Sequence, residues 1–265
     1  MLAIDRINAI VEILKENKSV MVNDLSNKFN VTEETIRRDL EKLEVQNKIV
    51  RVHGGAYLFE GFEKGAPVSL RKQFLIQEKK RLGKTCLEYI VDRDTIMLDD
   101  STTSLFIAKE IKECELQLIV ITNSLDIFVE LADCKHVKLI GLGGTFKLST
   151  RSFNGPGTVN SLINYNADKS FISCSSINSK LGMTDHNENE AQIRKIMIQN
   201  SVKKFLVIDH TKINKSSTYQ FADINEVDYV VTDKAPNKEW EENVKSKGVK
   251  LIVGNVNDSS KKNIR

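Results

Sequence analysis

The sequence predicts an α/β protein in which a small helical domain precedes a larger domain built on a mostly parallel sheet. The chain has 265 residues, which is enough for two domains, and only 3 prolines among 40% hydrophobic and 28% charged residues. Apolar residues in the first 46 positions are spaced three and four apart, which is typical of helices. From residue 95 onward, short apolar runs alternate with helical segments, which is typical of α/β domains.

Three helices are predicted in the N-terminal segment. The first carries one apolar stripe, formed by Ile4, Ile7, Ile10, Val11 and Leu14. A second, short helix is predicted over 22–29. Thr32 stands where an N-cap is favoured, before a third helix that ends near residue 46 and has Glu33 and Glu34 in its first turn. Two helices joined by a tight turn after a first helix predict a helix-turn-helix domain.

The third helix directs polar and basic side chains away from its apolar seam of Ile36, Leu40 and Leu43. At about 100° per residue, Arg38 lies nearly opposite that seam. The outer half also carries Glu34, Thr35 and Lys42. Arginine can grip guanine with two hydrogen bonds, whereas threonine and lysine suit thymine methyl groups and phosphates. The alternative is that the basic residues, Arg37 among them, only solvate an exposed helix.

Net charge does not decide between these two interpretations. The whole chain carries a net charge of +3, and residues 1–56 contain nine Lys and Arg against nine Asp and Glu. A DNA-binding surface therefore has to arise from local placement, because phosphate contact needs a positive face rather than a positive average.

A strand pattern over 48–52 follows the third helix, and His53-Gly54-Gly55-Ala56 closes it with turn residues. This predicts a winged variant of the helix-turn-helix domain, over 1–57. Glycines and a proline then mark a linker over 58–69. A helix with a basic face is predicted over 70–90; that face contacts DNA, contacts the first domain or is solvated, and we favour the last.

The larger domain is predicted over 70–254. Its strands are predicted over 95–98, 117–122, 137–140, 169–173, 205–209, 229–232 and 251–253. Its intervening helices are predicted over 104–112, 125–132, 158–164 and 188–201. This alternation favours a Rossmann-like parallel sheet that is covered on both faces, in which ligands bind beyond the carboxyl ends of the strands.

Polar residues follow several of these strands. The first strand leads to Asp99-Asp100-Ser101-Thr102-Thr103, the second to Thr122-Asn123-Ser124, and the third to Gly141-Leu142-Gly143-Gly144. Hydroxyls and free amides at a helix start suit a phosphate, although the same residues are also common helix caps and turns. The repetition, together with Asp209-His210-Thr211-Lys212 after a later strand, favours an anion site.

The N-terminal motifs resemble those of the DeoR family of bacterial transcriptional regulators. The resemblance rests on Thr35-Ile36-Arg37-Arg38-Asp39-Leu40, Leu43 and Arg51-Val52-His53-Gly54-Gly55-Ala56. It implies that the third helix enters the major groove of operator DNA and that His53 lies near the DNA backbone or minor groove. The candidate DNA-binding residues are Thr32, Glu34, Thr35, Arg37, Arg38, Lys42, Arg51 and His53.

The resemblance extends over the larger domain, through the strand-end motifs together with Gly182-Met183-Thr184-Asp185 and Glu190-Ala191. In the family this domain is similar in fold to ribose-5-phosphate isomerase and binds a phosphorylated sugar. The candidate effector-binding residues are Asp99, Ser101, Thr102, Thr103, Asn123, Ser124, Gly143, Gly144, Lys147, Glu190, Asp209 and Lys212, with Arg151 and Arg194 as further candidates. The family often has glycine in place of Ser101, so this side chain either narrows the pocket or supplies a hydroxyl.

These observations predict a repressor of a sugar or polyol operon that leaves operator DNA when a phosphorylated sugar binds, and that forms a dimer or tetramer. The alternatives are an activator with the same sites and a sugar-phosphate isomerase, although an enzyme has no need of the Thr35–Ala56 motifs.

The composition adds several expectations. The four cysteines are scattered, which predicts reduced thiols in the cytoplasm and neither a zinc site nor disulfides. No apolar run approaches the roughly 20 residues of a membrane span, and no signal peptide, metal or cofactor is predicted. The tail over 255–265 is expected to be disordered.

Overall fold

The computed structural model describes residues 2–17, 19–46, 49–52, 54–58 and 68–254. The chain forms two compact units, Met1–Phe74 and Leu75–Arg265. His53, most of the linker predicted over 58–69 and the tail predicted over 255–265 lie outside the described residues. No helix in the part of the chain that the structure describes is long and apolar enough to cross a membrane.

The N-terminal unit contains the three predicted helices around one core. Its elements are α1 (Ala3–Asn17), β1 (Ser19–Met21), α2 (Val22–Phe29), α3 (Glu33–Val45), β2 (Ile49–Val52), β3 (Gly55–Leu58) and α4 (Val68–Arg71). The predicted seam of Ile36, Leu40 and Leu43 is buried against Ile10 and Leu14 of α1. Apolar burial at helical spacing therefore fixes the faces of α1 and α3.

The wing is a three-stranded antiparallel sheet in the order β1-β3-β2. The prediction that residues 53–56 are all turn residues was wrong for Gly55 and Ala56, which begin β3. Gly54, with a φ of 84°, forms the turn. A Cβ on Gly55 would lie 2.2 Å from the carbonyl oxygen of Val20, so only glycine allows β3 to pair so closely with β1.

The C-terminal unit alternates strands and helices as predicted. Its helices are α5 (Ile76–Leu87), α6 (Thr102–Lys112), α7 (Leu125–Leu131), α8 (Pro156–Leu162), α9 (Glu188–Gln199) and α10 (Lys238–Ser246). Its strands are β4 (Thr95–Leu98), β5 (Leu118–Thr122), β6 (Val137–Gly141), β7 (Thr145–Lys147), β8 (Ser152–Asn154), β9 (Ala167–Ile172), β10 (Ser176–Asn178), β11 (Gly182–Asp185), β12 (Ser201–Ile208), β13 (Tyr219–Ala222), β14 (Tyr229–Thr232) and β15 (Lys250–Val253).

A seven-stranded sheet in the order β15-β14-β12-β9-β4-β5-β6 forms the centre of this unit, and its strand pairs are all parallel. Alternate side chains of each strand enter two separate cores, so both faces are covered, as predicted. The chain builds outward from β4 through β5 to β6, and then returns to place β9 on the other side of β4. The strand order therefore reverses between β4 and β9, which is where open sheets of this kind bind ligands.

Two smaller sheets, β10-β11-β13 and the hairpin β7-β8, were not predicted, because strands of three or four residues are too short to show a period. The single helix predicted over 70–90 was also wrong. The chain forms α4 and α5 instead, separated at Leu75, whose φ is 52°. The expectation that its basic face is solvated fails at Lys79, which is only 2% exposed.

Candidate DNA-binding helix and candidate effector site

The start of α3 is fixed by the predicted cap. The hydroxyl of Thr32 accepts a hydrogen bond from the backbone N–H of Thr35 at 3.3 Å, and the two threonine hydroxyls lie 2.9 Å apart. The acidic residues Glu33 and Glu34 in the first turn suit the positive end of the helix dipole. The cap therefore sets where the outward residues of α3 begin.

The outward face of α3 is basic but internally paired. Arg38 is the most exposed of its arginines, with 73% of its side chain accessible, and its Nε lies 3.5 Å from Glu34 Oε1. Arg37 donates to Glu33 at 2.5 Å. Exposed ion pairs of this kind contribute little to stability, so the guanidinium groups can exchange these partners for a phosphate or a base at small cost.

Two further candidate residues of this unit, Lys42 and Arg51, differ in their contacts. Lys42 is exposed one turn further along α3. Arg51 on β2 pairs with Glu44 at 3.0 Å and donates to the carbonyl oxygen of Arg37 at 3.4 Å, so it braces the wing against α3.

An ion pair that the sequence did not reveal lies beneath the outward face. Arg6 of α1 donates to Asp39 of α3 at 2.5 Å, and both side chains are more than 90% buried. Asp39 faces inward although it directly follows the outward-facing Arg37 and Arg38, and its partner is 33 positions away. The pair fixes the rotation of α3 against α1.

The candidate effector site is built where β4 and β9 end side by side. Asp99 follows β4 and is fully buried; it accepts hydrogen bonds from the N–H of Ser173 at 2.9 Å and from the hydroxyl of Ser104 at 2.5 Å. Ser101 caps α6 by accepting from the N–H of Ser104 at 3.0 Å. The hydroxyl that departs from the family pattern is therefore used locally, as a helix cap.

Arg194 of α9 joins four acidic side chains at this point. Its Nε donates to Asp99 at 2.8 Å, its Nη2 donates to Asp100 at 2.7 Å, and its Nη1 donates to Asp185. Glu190 lies 3.8 Å away on the same helix. Arg194 is 5% exposed. It was only a further candidate in the sequence, yet it forms the centre of the site.

The two adjacent aspartates have opposite pKa shifts. Burial by itself raises the pKa of Asp99, but the charge of Arg194 and the hydrogen bonds from Arg194, Ser104 and Ser173 outweigh it, so the pKa is lowered. Burial raises the pKa of Asp100 to about 6, because the negative charges of Glu190 and Asp99 oppose the attraction of Arg194. Of these two neighbouring aspartates, Asp100 therefore takes up a proton more readily than Asp99.

Lysines approach this acidic cluster from two sides. Lys212, which follows β12, is 6% exposed and donates to the hydroxyl of Ser173 at 3.1 Å. Lys147 of β7 donates to Glu190 at 2.9 Å. The structure therefore brings Asp99, Lys212, Glu190 and Lys147 into one connected network.

The remaining candidates lie on the adjoining loops. Asn123 follows β5 and donates to the carbonyl oxygen of Phe153, while Ser124 caps α7. Gly143 accepts a hydrogen bond from Thr158 at 2.8 Å. Arg151, between β7 and β8, donates to Asp126 of α7 at 2.8 Å.

Several buried polar atoms around the strand ends have no protein partner among the described residues. They are Thr103 Oγ1, Asn123 Oδ1, Asn154 Oδ1 and Asp209 Oδ2. Thr102 and Thr103 are the first residues of α6. The first N–H groups of a helix have no carbonyl acceptor within the helix. Buried groups of this kind are expected to bind a ligand or ordered water.

Gly144 is expected to be required for the loop after β6, whereas Gly143 is not. Gly144 has a φ of 148°, and a Cβ there would lie 2.1 Å from Thr158 Oγ1. Gly144→Ala should lower the free energy of unfolding by about 1–3 kcal/mol through overpacking. Gly143 has open space around its Cβ position, so Gly143→Ala is the matched control. Equal urea midpoints for the two variants would contradict this account.

His210 is expected to make stability depend on pH. Its Nδ1 lies 2.8 Å from Asp233 Oδ2, and this hydrogen bond raises the pKa of His210. Stabilisation by the charged pair should be complete below the unfolded pKa of about 6.5 and lost as pH rises through the higher folded pKa. His210→Gln should therefore destabilise the protein more at acidic than at alkaline pH in denaturant titrations. A pH-independent difference would refute the prediction.

Comparison with known protein families accounts for both units. Residues 6–61 match the family model for the DeoR-like helix-turn-helix domain, and residues 75–234 match that for the DeoR C terminal sensor domain. The chain belongs to the DeoR family. The C-terminal unit is its sensor domain, and the N-terminal unit is its helix-turn-helix domain.

Relatives that match this DeoR-family regulator over most of their length are transcriptional regulators. It is 38% identical to the "Uncharacterized HTH-type transcriptional regulator YulB" of Bacillus subtilis, over 88% of this chain and 90% of the relative. It is 32% identical to the "HTH-type transcriptional repressor GlcR" of the same organism, over 94% and 95%. It is 30% identical to the "L-fucose operon activator" of Escherichia coli, over 86% and 94%. The family thus contains both repressors and activators.

Among solved structures, the sensor domain of this regulator resembles ribose 5 phosphate isomerase A from Neisseria gonorrhoeae. The TM-score is 0.38 at 14% identity, and the match covers 52% of this chain and 53% of the isomerase. A likeness at this distance carries no conclusion about activity. The seven-stranded parallel sheet by itself confirms the predicted α/β class of the domain.

Several residues of the site were not predicted from the sequence. Ser173 is the last residue of the strand predicted over 169–173, and a polar residue at the carboxyl end of that strand was the signal that could have found it. Ser152 donates to Asp100 at 2.6 Å from the unpredicted strand β8. Asp185 belongs to a motif that the resemblance identified, but nothing in its local spacing indicated that it pairs with Arg194.

Proposed function

We propose that this DeoR-family regulator represses an operon for sugar or polyol utilisation and leaves its operator when a phosphorylated sugar binds the sensor domain. The observation that carries the proposal is the buried edge between β4 and β9. There α6 begins at Thr102 and Thr103, whose N–H groups have no acceptor within the helix. The ammonium of Lys212 reaches the same edge through Ser173.

Two local features of this edge favour an anionic group on the ligand. The helix start and Lys212 both attract an anion. Arg194 holds the carboxylates of the acidic cluster in place, and we propose that they also accept hydrogen bonds from sugar hydroxyl groups. A phosphorylated sugar offers an anionic end for the first set and hydroxyl groups for the second.

The DNA-binding part of the proposal assigns α3 to the major groove. Arg38 is proposed to read a base, and Lys42 and Arg37 to contact phosphates. Thr32, Glu34, Thr35, Arg51 and His53 are proposed to complete the interface. The exposure of Arg38 and its single long contact with Glu34 support this role, because the guanidinium needs little rearrangement to reach a base. Its proposed partner is double-stranded operator DNA, and its proposed location is the cytoplasm.

Release requires that the sugar phosphate bind a DNA-incompetent arrangement more tightly than the competent one, because equal affinity shifts nothing. We propose that the protein is a dimer or tetramer and that the effector alters the spacing of its recognition helices. Size measurements that show only monomer, with and without operator DNA, would overturn this route.

The activator alternative uses the same sites, and it is supported by the similarity to the L-fucose operon activator. A reporter gene behind the natural promoter, in strains with and without the regulator, separates the two. Repression predicts higher expression in the strain that lacks the protein. Activation predicts lower expression. The isomerase alternative has no support from the curated relatives described above, which are transcriptional regulators.

Lys212→Met is expected to weaken binding of the phosphorylated sugar by about tenfold or more, because a hydrogen bond to a charged group contributes about 1.5–3 kcal/mol. The measurement is thermal stability against a panel of phosphorylated sugars and their unphosphorylated forms. A ligand at about 100 times its Kd should add about 2.7 kcal/mol to the wild-type protein.

The exposed Lys215, three residues further along, provides the matched control. Lys215→Met should respond to the phosphorylated sugar as the wild type does. The effector proposal fails if no phosphorylated sugar stabilises the wild type, or if an unphosphorylated form stabilises it equally.

A further inference from the structure

A cavity lies in the sensor domain, away from the candidate effector residues. It has a volume of about 360 Å³ and lies between the end of β10 and the start of α10. Its wall includes Asn178, Asn237, Glu239, Trp240 and Asn243. None of the residues proposed to bind the phosphorylated sugar lines it.

Two residues that line this cavity each have a buried polar atom with no partner among the described residues. Trp240 is 3% exposed, and its indole Nε1 has no hydrogen-bond acceptor. Asn243 Oδ1 is also buried and has no donor. Leaving such groups unsatisfied costs about 1–3 kcal/mol each, so a polar occupant is expected at both.

The amides of the wall are held in fixed orientations. Asn178 Oδ1 accepts from the N–H of Lys180 at 2.9 Å, and Asn237 Oδ1 accepts from the N–H of Trp240 at 2.9 Å. Because their oxygens are engaged, both residues have Nδ2 groups left as donors. Lys247 of the turn after α10 donates to the carbonyl oxygen of Ser179 at 3.1 Å, which ties that turn to the end of β10. The cavity is therefore preformed.

Charge distinguishes this cavity from the edge between β4 and β9. No lysine or arginine is among the described residues that line it, and Glu239 contributes a carboxylate. A phosphate group would be repelled there. Three N–H donors and two acceptors match hydroxyl groups, which donate and accept at once. The volume lies at the lower end of the range of about 300–1,000 Å³ found for small-molecule sites.

We propose that this cavity is a second ligand site, and that it binds an uncharged sugar or polyol through the amides of Asn178, Asn237 and Asn243 and the indole of Trp240. This site does not depend on the proposed binding of phosphorylated sugar. The regulator then senses an unphosphorylated compound at one position and a phosphorylated one at another.

Trp240 is the only tryptophan of the chain, so its emission reports on the cavity directly. The experiment titrates the full-length protein with a panel of unphosphorylated aldoses and alditols and follows tryptophan fluorescence. A saturable change in emission is expected for at least one compound. Asn243→Leu should abolish it without lowering the Tm, because the lost acceptor has no partner in the unbound protein.

The matched control is Lys212→Met, which should retain this emission change while its response to phosphorylated sugars is weakened. The two proposals therefore fail separately. The proposal is overturned if no compound gives a saturable change in emission. It is also overturned if Asn243→Leu and a second variant, Asn178→Ala, both show the same change as the wild type. Water is then the occupant of the cavity. A response confined to phosphorylated compounds overturns it as well.

Discussion

Replacing Arg194 with methionine is expected to destabilise the protein by about 3–5 kcal/mol, because removal of one partner from a buried ion pair leaves uncompensated charge. Arg194 donates to Asp99, Asp100 and Asp185, which are all buried. Once the guanidinium is gone, these carboxylates repel one another in a site that water barely reaches. For a domain of this size, the loss corresponds to a Tm lower by about 6–20 °C.

The neighbouring Lys195 supplies the control for this prediction. It is exposed on the same helix, so Lys195→Met removes the same charge with little effect on the Tm. Arg194→Lys keeps a positive charge but cannot reach three carboxylates in the same planar geometry, and it should fall between the two. Thermal denaturation of the three variants ranks them. If Arg194→Met is as stable as Lys195→Met, protonation of the carboxylates rather than pairing with Arg194 neutralises the cluster.

The acidic cluster also makes the Arg194→Met defect depend on pH. Arg194 holds the pKa of Asp99 below its usual value, so its stabilisation is present above the unfolded pKa of about 3.9 and lost as pH falls through the folded pKa. The difference in unfolding free energy between wild type and Arg194→Met should therefore narrow at acidic pH. A difference that does not change with pH would assign the defect to lost packing.

Arg38→Ala is expected to weaken operator binding severely while the protein stays folded. A specific base contact by arginine is worth about 1–3 kcal/mol, and a dimer on two half-sites loses it twice, about 2–6 kcal/mol in all. The side chain is 73% exposed and forms only a surface ion pair, so its removal should leave the Tm within a degree or two. Gel-shift titration on the natural promoter fragment at fixed salt measures the loss.

A charge-matched control separates base reading from general electrostatics. Arg93 of the sensor domain has 89% of its side chain exposed, so Arg93→Ala removes one positive charge elsewhere. It should lower operator affinity only slightly. Lys42→Ala should weaken binding to specific and non-specific DNA alike and reduce the salt slope by about 1. Unchanged affinity for Arg38→Ala would remove Arg38 from the proposed reading surface.

The sequence by itself determined the features that depend on local periodicity. The seam of Ile36, Leu40 and Leu43 and the cap at Thr32 were predicted correctly, because helical spacing and a capping hydroxyl act within one or two turns. The seven strands of the main sheet were found for the same reason, since each is a short apolar run between polar ends. The end of each apolar run then located the polar residues that follow each strand.

Tertiary structure alone decided which of these ends meet. Ser173 lies beside Asp99 because β9 inserts next to β4 after the chain has built β5 and β6, and no local pattern states that order. The burial of Arg194 and the inward turn of Asp39 have the same origin. A charged side chain is expected to be exposed when only its sequence is known. The burial of Arg194 depends on partners that include Asp99, 95 positions away, and the burial of Asp39 depends on Arg6, 33 positions away. Local periods fix the elements, whereas long-range pairing decides where charge can be buried.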